Sequence, residues 1–467
     1  MTALAASLAK MAVLLLAAGA AGFAAARALH AAGPAHRSER MGWGVCLGLS
    51  FLSGSALMAS LGGLDPRVSF AILAAAGVAA GRLFAPRDPG PALPAAGKLR
   101  LSHAMLRAAA AAGVLLYVVR ALVRPMGSID FLAIWGLKGR TIFASGAIPA
   151  WLSDPALAGF SHPEYPLGLP LLYAGVSAVI GKWDDHAMAL LFPAFQIATL
   201  AVLAGWLRRR GAGPGVTLTA TALLALFEPL YSGFLTGMAD VPLSLAMLLL
   251  GTALSDAMDG TDSRALARLA AASLLASTIK NEGLFLAAAA AGVAIVVSRG
   301  AGDRSRRLKV AAAAILPAAS LTAVVRAIRG AAPLRDFDFG LLAPSRFGEL
   351  LARAGEAVSA DAHIAARSWI LPVSIAVLLV AGKSTPWAGR LLWLAGAALA
   401  VYLALPAFAV LGPEWLAETT LFRTAAALVP LATAGIAGRL SGDGKREMEN
   451  AKRQGPSDGA EESAFSV

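Results

Sequence analysis

Apolar runs of about twenty residues follow one another along this chain, separated by short polar breaks, and that pattern leaves few folds open. A bilayer core is about 30 Å thick, so a helix rising 1.5 Å per residue needs about 20 mostly apolar residues to cross it. The runs fall at 8–29, 41–62, 67–85, 101–123, 186–207, 214–232, 239–257, 264–281, 283–299, 308–328, 367–382, 388–410 and 420–438. They predict an all-α, polytopic integral membrane bundle of about thirteen transmembrane helices. Composition agrees, because 58% of the 467 residues are hydrophobic and only 15% charged, with a mean hydropathy of +0.68. A soluble fold cannot hide that much apolar surface.

The formal net charge of +12 does not point to nucleic acid. Lys and Arg sit in short clusters between apolar runs, which is the signature of membrane topology. One further apolar stretch, 165–181, is short and broken by Pro166 and Pro170, and reads as a re-entrant or surface helix. With that stretch non-spanning, five basic clusters share the cytoplasmic side: Arg37 and Arg40, Lys98 and Arg100, Arg208 to Arg210, Arg304 to Arg307, and Lys445 and Arg446. If it spanned, Arg208 to Arg210 and Arg304 to Arg307 would both be external. The N-terminus is therefore expected outside, and residues 441–467 form a polar tail expected to be disordered in the cytoplasm. Residues 8–29 read as a retained first span rather than a secretory signal. The single cysteine, Cys46, allows neither an internal disulfide nor a cysteine-rich metal site.

Two long polar loops then face outward, 124–185 (including the broken segment, and expected to carry juxtamembrane helices) and 329–366. Loops longer than about 12–15 residues are uncommon unless they work or are disordered, and the first is rich in aromatics, prolines and charges. It opens with Asp130, Trp135 and Lys138; on a helix Asp130 and Lys138 lie two turns apart on one face. Asp130 reads either as an acid for chemistry on a hydroxyl or as a helix cap. The loop ends in SHPEYPLGLP, where His162, Glu164 and Tyr165 sit between prolines. His162 beside Glu164 could relay a proton or hold phosphate, although a lone His is more often structural.

Asp240 stands at the outer start of the seventh run, in ADVPL, as a cavity-facing charge or as a simple N-cap before Pro242. Lys280 and Glu282 stand together in KNEGL, either neutralising one another or lining a cavity with Lys280 aimed at an anion. Arg423 lies a few residues into the last run, where an unpaired guanidinium is poorly placed against lipid. Asp130, Glu164 and Asp240 together offer oxygen ligands for Mg²⁺ or Mn²⁺. No Walker loop or dinucleotide fingerprint competes with these residues, so a membrane-dissolved activated donor fits better than a soluble nucleotide.

At these residues the chain resembles the GT-C superfamily of membrane glycosyltransferases, bacterial relatives of the protein O-mannosyltransferases and of the lipid A aminoarabinose transferase. Four motifs carry the resemblance in order: Asp130 to Lys138, His162 to Leu167, Ala239 to Leu243 and Lys280 to Leu284. It covers residues 120–300, with Arg423 matched more loosely. Where related sequences carry a His and an Asp around the last-span Arg, this chain has Leu416 and Phe422.

The resemblance implies an inverting glycosyltransferase of the bacterial inner membrane, moving a sugar from a polyprenyl-phosphate donor to an acceptor hydroxyl on the outer face. It implies Asp130 as general base, with Lys280 and Arg423 on the leaving phosphate. Asp240, Lys138, His162, Glu164, Tyr165 and Glu282 are the further substrate-binding candidates. Residues 101–300 would be the catalytic core, 1–100 three added spans without a functional account, and 301–440 the C-terminal spans. Partners would be the lipid-linked donor and membrane lipids, with the acceptor open. The competing class is a transporter or flippase of lipid-linked saccharides, which should show paired broken helices or an internal repeat; the sequence shows neither.

Overall fold

A computed structural model describes residues 2–30, 37–84, 101–124, 126–154, 156, 161–260, 262–297, 304–329, 337–366, 386–410 and 412–453. Among these residues there is no strand, only an isolated antiparallel bridge between Phe337 and Ala409. Among the described residues nine helical runs are long and apolar enough to cross a membrane. They are Leu4–Leu29, Arg37–Gly62, Pro66–Leu83, Leu101–Val123, Asp185–Arg209, Asp240–Asp259, Arg304–Ala327, Pro386–Phe408 and Pro413–Ser441.

Three other expected spans are shorter helices: Pro214–Ala225, Ala265–Ile279 and Glu282–Val296. The first gives way to irregular backbone over 226–239, and the other two are separated by the turn at Lys280 and Asn281. Fifteen helical residues rise only about 22 Å. The expected span at 367–382 lies outside the described residues.

In chain order the helices are α1 (Thr2–Leu29), α2 (Arg37–Gly62), α3 (Pro66–Phe84), α4 (Leu101–Val123), α5 (Gly136–Ser145), α6 (Gly168–Ile180) and α7 (Leu191–Arg209). Then come α8 (Pro214–Ala225), α9 (Asp240–Asp259), α10 (Ala265–Ile279), α11 (Glu282–Val296), α12 (Arg304–Arg329), α13 (Phe347–Ala366), α14 (Pro386–Ala404) and α15 (Phe422–Arg453). The last helix runs past Ser441 into the stretch expected to be a disordered tail. Good helix formers, Lys445, Arg446, Glu447 and Glu449, carry it on; residues 454–467 lie outside the described residues.

Helices α1 to α3 pack as a unit on small residues. A Cβ on Gly22 would collide with the Gly44 carbonyl oxygen, so α1 and α2 approach as only glycine backbones can. This unit also supports α6, the broken apolar segment. Lys10 of α1 donates to the Ile180 carbonyl at 2.7 Å, Arg67 of α3 to that of Ala178 at 3.0 Å, and Ser53 of α2 to that of Gly168 at 3.0 Å. The first two are cations placed on the last carbonyls of a helix, where the chain itself offers no donor.

Every residue of α9 from Asp240 to Met258 is buried. It is apolar all round, as a central helix must be, and α7, α10, α11, α12, α14 and α15 enclose it. Its two ends, about 24 Å apart from Asp240 to Asp256 at 1.5 Å per residue, each hold a cluster of charge. At the Asp256 end four carboxylates (Glu39, Asp256, Asp259, Asp262) face four guanidiniums (Arg209, Arg210, Arg268, Arg390). Arg209 grips Glu39 bidentately, both distances 2.8 Å, and reaches Asp256 at 2.7 Å. The formal charges cancel, and the network ties α2, α7, α9, α10 and α14 together.

Candidate functional site

The Asp240 end is built from five separate stretches of chain. Ser128 caps the turn that follows it, its Oγ accepting from the Phe131 amide at 3.2 Å. Asp130 is thereby left free of the capping role that the sequence allowed it: it has helical backbone angles and makes no side-chain cap bond. Its carboxylate reaches across 293 residues to Arg423, with Oδ2 2.5 Å from Nη1. Both partners sit beside π-helical turns, Phe131–Trp135 directly after Asp130 and Ala417–Leu421 just before Arg423. Such turns redirect side chains and recur at functional sites.

Asp240 is the first residue of α9, directly after Ala239 at the cap position. Its carboxylate lies 3.6 Å from the Lys280 ammonium, an ion pair longer than a hydrogen bond, while Lys280 approaches Glu282 at 2.7 Å. Lys280 owes its position to the break between α10 and α11, where its backbone is extended (φ −153°, ψ 153°). Arg423 lies within electrostatic reach of Asp240, Asp130 and Tyr165, so the two ion pairs form one cluster. Three carboxylates, Asp130, Asp240 and Glu282, thus share two cations, Lys280 and Arg423. The cluster differs in this from the balanced one at the far end of α9.

The chain into Asp240 is held by the broken segment. Tyr173 of α6 donates to the Gly237 carbonyl at 3.0 Å. Gly237 has φ +96°, and a Cβ there would press on Met126 and Phe131 at 3.0 and 3.1 Å, so only glycine fits. The neighbouring Met238 places its sulfur 3.9 Å from Arg423.

His162, Glu164, Tyr165 and Lys138 form an adjoining wall. Tyr165 is stacked between Trp135 (centroids 5.3 Å apart) and His162 (4.8 Å), and Lys138 Nζ lies 5.9 Å from its ring centre. His162 holds a left-handed backbone, φ 48°, uncommon for a residue with a Cβ. Its carbonyl accepts from the buried Lys138 at 2.6 Å, and its Nδ1 lies 3.2 Å from Glu164. Lys138 therefore supports the loop backbone from inside.

The suggested metal ligands do not act as a set. Among the described residues no three His, Cys, Asp or Glu side chains gather as metal ligands, and Asp130, Glu164 and Asp240 turn instead toward Arg423, His162 and Lys280. One member of the cluster escaped sequence reasoning altogether. Tyr402 of α14 is 5% exposed and within electrostatic reach of Glu282 and Asp240. A single tyrosine in the apolar run 388–410 carries no signal that separates it from core packing.

Four buried polar atoms of the site residues lack a hydrogen-bond partner: Glu164 Oε2 in the adjoining wall, and Asp240 Oδ1, Tyr402 Oη and Arg423 Nε in the cluster itself. The most accessible member of the Asp130–Arg423 pair is Asp130, 24% exposed against 12% for Arg423. Helix α13 packs over the Pro413–Leu416 helix and the π-turn that lead into Arg423, and over the 3₁₀ turn Leu405–Phe408 that follows α14. The arrangement offers one accessible carboxylate for proton transfer, cations for an anion, and unsatisfied groups deeper in. No protein family, curated protein or solved structure matches the chain.

Proposed function

We propose that the chain is an inverting glycosyltransferase that takes a sugar from a polyprenyl-phosphate donor and places it on an acceptor hydroxyl, as its resemblance to the GT-C superfamily implies. The observation that carries the reading is the 2.5 Å pair of Asp130 and Arg423, set beside Asp240, Lys280 and Glu282 at one end of the bundle. Residues far apart in sequence and matched to the family motifs come together there. Exposed apolar side chains flank them, Ile129 and Leu132 beside Asp130 and Phe422 beside Arg423, which suits a donor that arrives with a lipid tail.

In this reading the donor phosphate competes with Asp130 for Arg423. With three carboxylates on two cations, an added anion is accommodated only when one carboxylate yields, and Asp130 is the one nearest solvent. Released, Asp130 takes the proton of the acceptor O–H as the oxygen attacks the anomeric carbon from the face opposite the phosphate. The bond from that carbon to the phosphate oxygen breaks, and its electron pair leaves with polyprenyl phosphate. Arg423 and Lys280 stabilise the charge that builds there. No step needs a metal held by Asp130, Glu164 and Asp240, which do not gather as ligands.

On this reading the shorter helices α8, α10 and α11 join the nine long runs in a bundle of about thirteen spans. The positive-inside rule then puts the Asp256 end and the C-terminus in the cytoplasm of a bacterial inner membrane, and the Asp130 cluster and its loops outside. The test is to supply membrane vesicles with radiolabelled polyprenyl-phosphate sugars and ask what becomes labelled. Transfer of label to a second molecule, lost in the Asp130→Asn variant, supports the enzyme. Movement of the labelled lipid between leaflets with no transfer overturns it in favour of a flippase.

A further inference from the structure

We propose that Tyr402 and Asp240, with the Nε of Arg423, form a subsite for sugar hydroxyls beneath the Asp130–Arg423 pair. The inference rests on the lipid-linked donor reading and adds to it a residue, Tyr402, and a chemical preference. It starts from hydrogen bonding left undone. A buried tyrosine hydroxyl nearly always finds a partner, yet Tyr402 Oη has none, and neither does Asp240 Oδ1, 3.6 Å from the ammonium beside it. Arg423 spends Nη1 on Asp130 and leaves Nε unpaired. Arg423 Nη1 lies 3.9 Å from the sulfur of Met238, two residues before Asp240, and α14, which carries Tyr402, packs against both α9 and α15, so the three orphaned atoms sit on three mutually packed helices.

Their chemistry selects the ligand. Asp240 Oδ1 only accepts, Arg423 Nε only donates, and the tyrosine hydroxyl does either. A phosphate oxygen could accept from Tyr402 and Arg423 but has no proton for Asp240, and it would be repelled by that carboxylate. A hydroxyl donates to Asp240 while accepting from Tyr402 or Arg423, so a polyhydroxylated ring matches this mix of acceptor and donors where a phosphate does not. The phosphate accordingly belongs at Arg423 Nη1 and Lys280, where Asp130 is displaced, and the sugar ring belongs deeper, over Asp240 and Tyr402. Tyr402 lies in the last turn of α14, two residues from its end, and Pro406 redirects the chain just after the helix.

The experiment uses the full-length protein in lipid nanodiscs and two kinds of probe: polyprenyl phosphate without sugar, and polyprenyl-phosphate glucose, mannose and arabinose. Tyr402→Phe keeps the ring and removes only the hydroxyl. The expected result is unchanged affinity for the bare lipid phosphate and a loss of about two- to twelve-fold for the sugar-bearing lipid that binds wild type best. The thermal midpoint should hold or rise, because an unsatisfied buried hydroxyl is removed. Equal affinities of wild type and variant for every sugar-bearing lipid would mean that a buried water serves the hydroxyl, and would overturn the subsite while leaving the donor reading intact. A parallel fall in both affinities with a lower midpoint would make Tyr402 a packing residue and overturn it equally. Failure of all four lipids to bind wild type would remove the donor reading, and the subsite with it.

Discussion

Asp130→Asn separates the two roles that the proposed mechanism gives one carboxylate. Asparagine keeps the shape and can still hydrogen-bond Arg423, but it carries no charge and accepts no proton at neutral pH. Loss of a general base lowers transfer by about 10²–10⁴-fold. Binding should move the other way. The Asp130–Arg423 contact is a charge-assisted bond at 2.5 Å with both partners partly exposed, and such bonds contribute about 1.5–3 kcal/mol. On the proposed mechanism, a donor phosphate takes Arg423 at the expense of that contact.

Part of the contribution survives in the neutral amide, so about 1.4 kcal/mol of relief, a ten-fold gain in affinity, is the scale expected for bare polyprenyl phosphate. The assays are transfer of radiolabelled sugar per folded molecule and equilibrium binding of the sugar-free lipid to the purified variant. No cap bond is lost, so the thermal midpoint should fall only by what the same ~1.4 kcal/mol lost from the ligand-free fold produces, a few degrees at most. Weaker lipid phosphate binding in Asp130→Asn would refute the competition argument, and near-normal turnover would refute the base.

At the other end of α9, Asp256→Ala strips a shared partner from Arg209, Arg210 and Arg268; breaking a buried network of this kind costs about 3–5 kcal/mol. A clear fall in thermal midpoint is expected, with transfer per folded molecule retained at a site about 24 Å away; an unchanged midpoint would show the network to be dispensable. Asp361 of α13 is 4% exposed with both carboxylate oxygens unpaired, and burial raises its carboxyl from 3.8 to about 6. The folded state therefore holds this proton more tightly than the unfolded chain, so the associated stability is full below pH 3.8 and is lost as pH rises through about 6. Thermal scans should show Asp361→Asn gaining on wild type between pH 4 and 7, and parallel curves would refute this. For topology, Cys46 is buried and silent, so cysteines at the exposed positions Ala147 and Gly213 report cleanly. Ala147→Cys should react with an impermeant thiol reagent on intact cells and Gly213→Cys only after permeabilisation, and the reverse pattern would invert the assignment of sides.

How much of this was legible in the sequence differs from element to element. The helical membrane class was fixed by the length and recurrence of apolar runs, since burying a backbone in lipid leaves a helix little alternative. The broken segment was legible too, because Pro166 and Pro170 interrupt it; it forms the 13-residue helix Gly168–Ile180. The residues of the candidate site stood out singly, as charges in places where lipid tolerates few.

Their relations were not readable. Asp130 and Asp240 each admitted a capping role, and only the fold, by giving Asp130 helical backbone angles, no side-chain cap bond and a partner 293 residues away, removed that alternative for Asp130. Tyr402, the balanced network around Asp256 and the support of α6 by Lys10 and Arg67 were likewise invisible. Hydrophobic periodicity is a local property of the chain and reports which residues leave water. Pairing between charges on different helices depends on how those helices are arranged around α9, and that arrangement is set by close backbone approaches such as Gly22 on Gly44, which exist only once the bundle has formed.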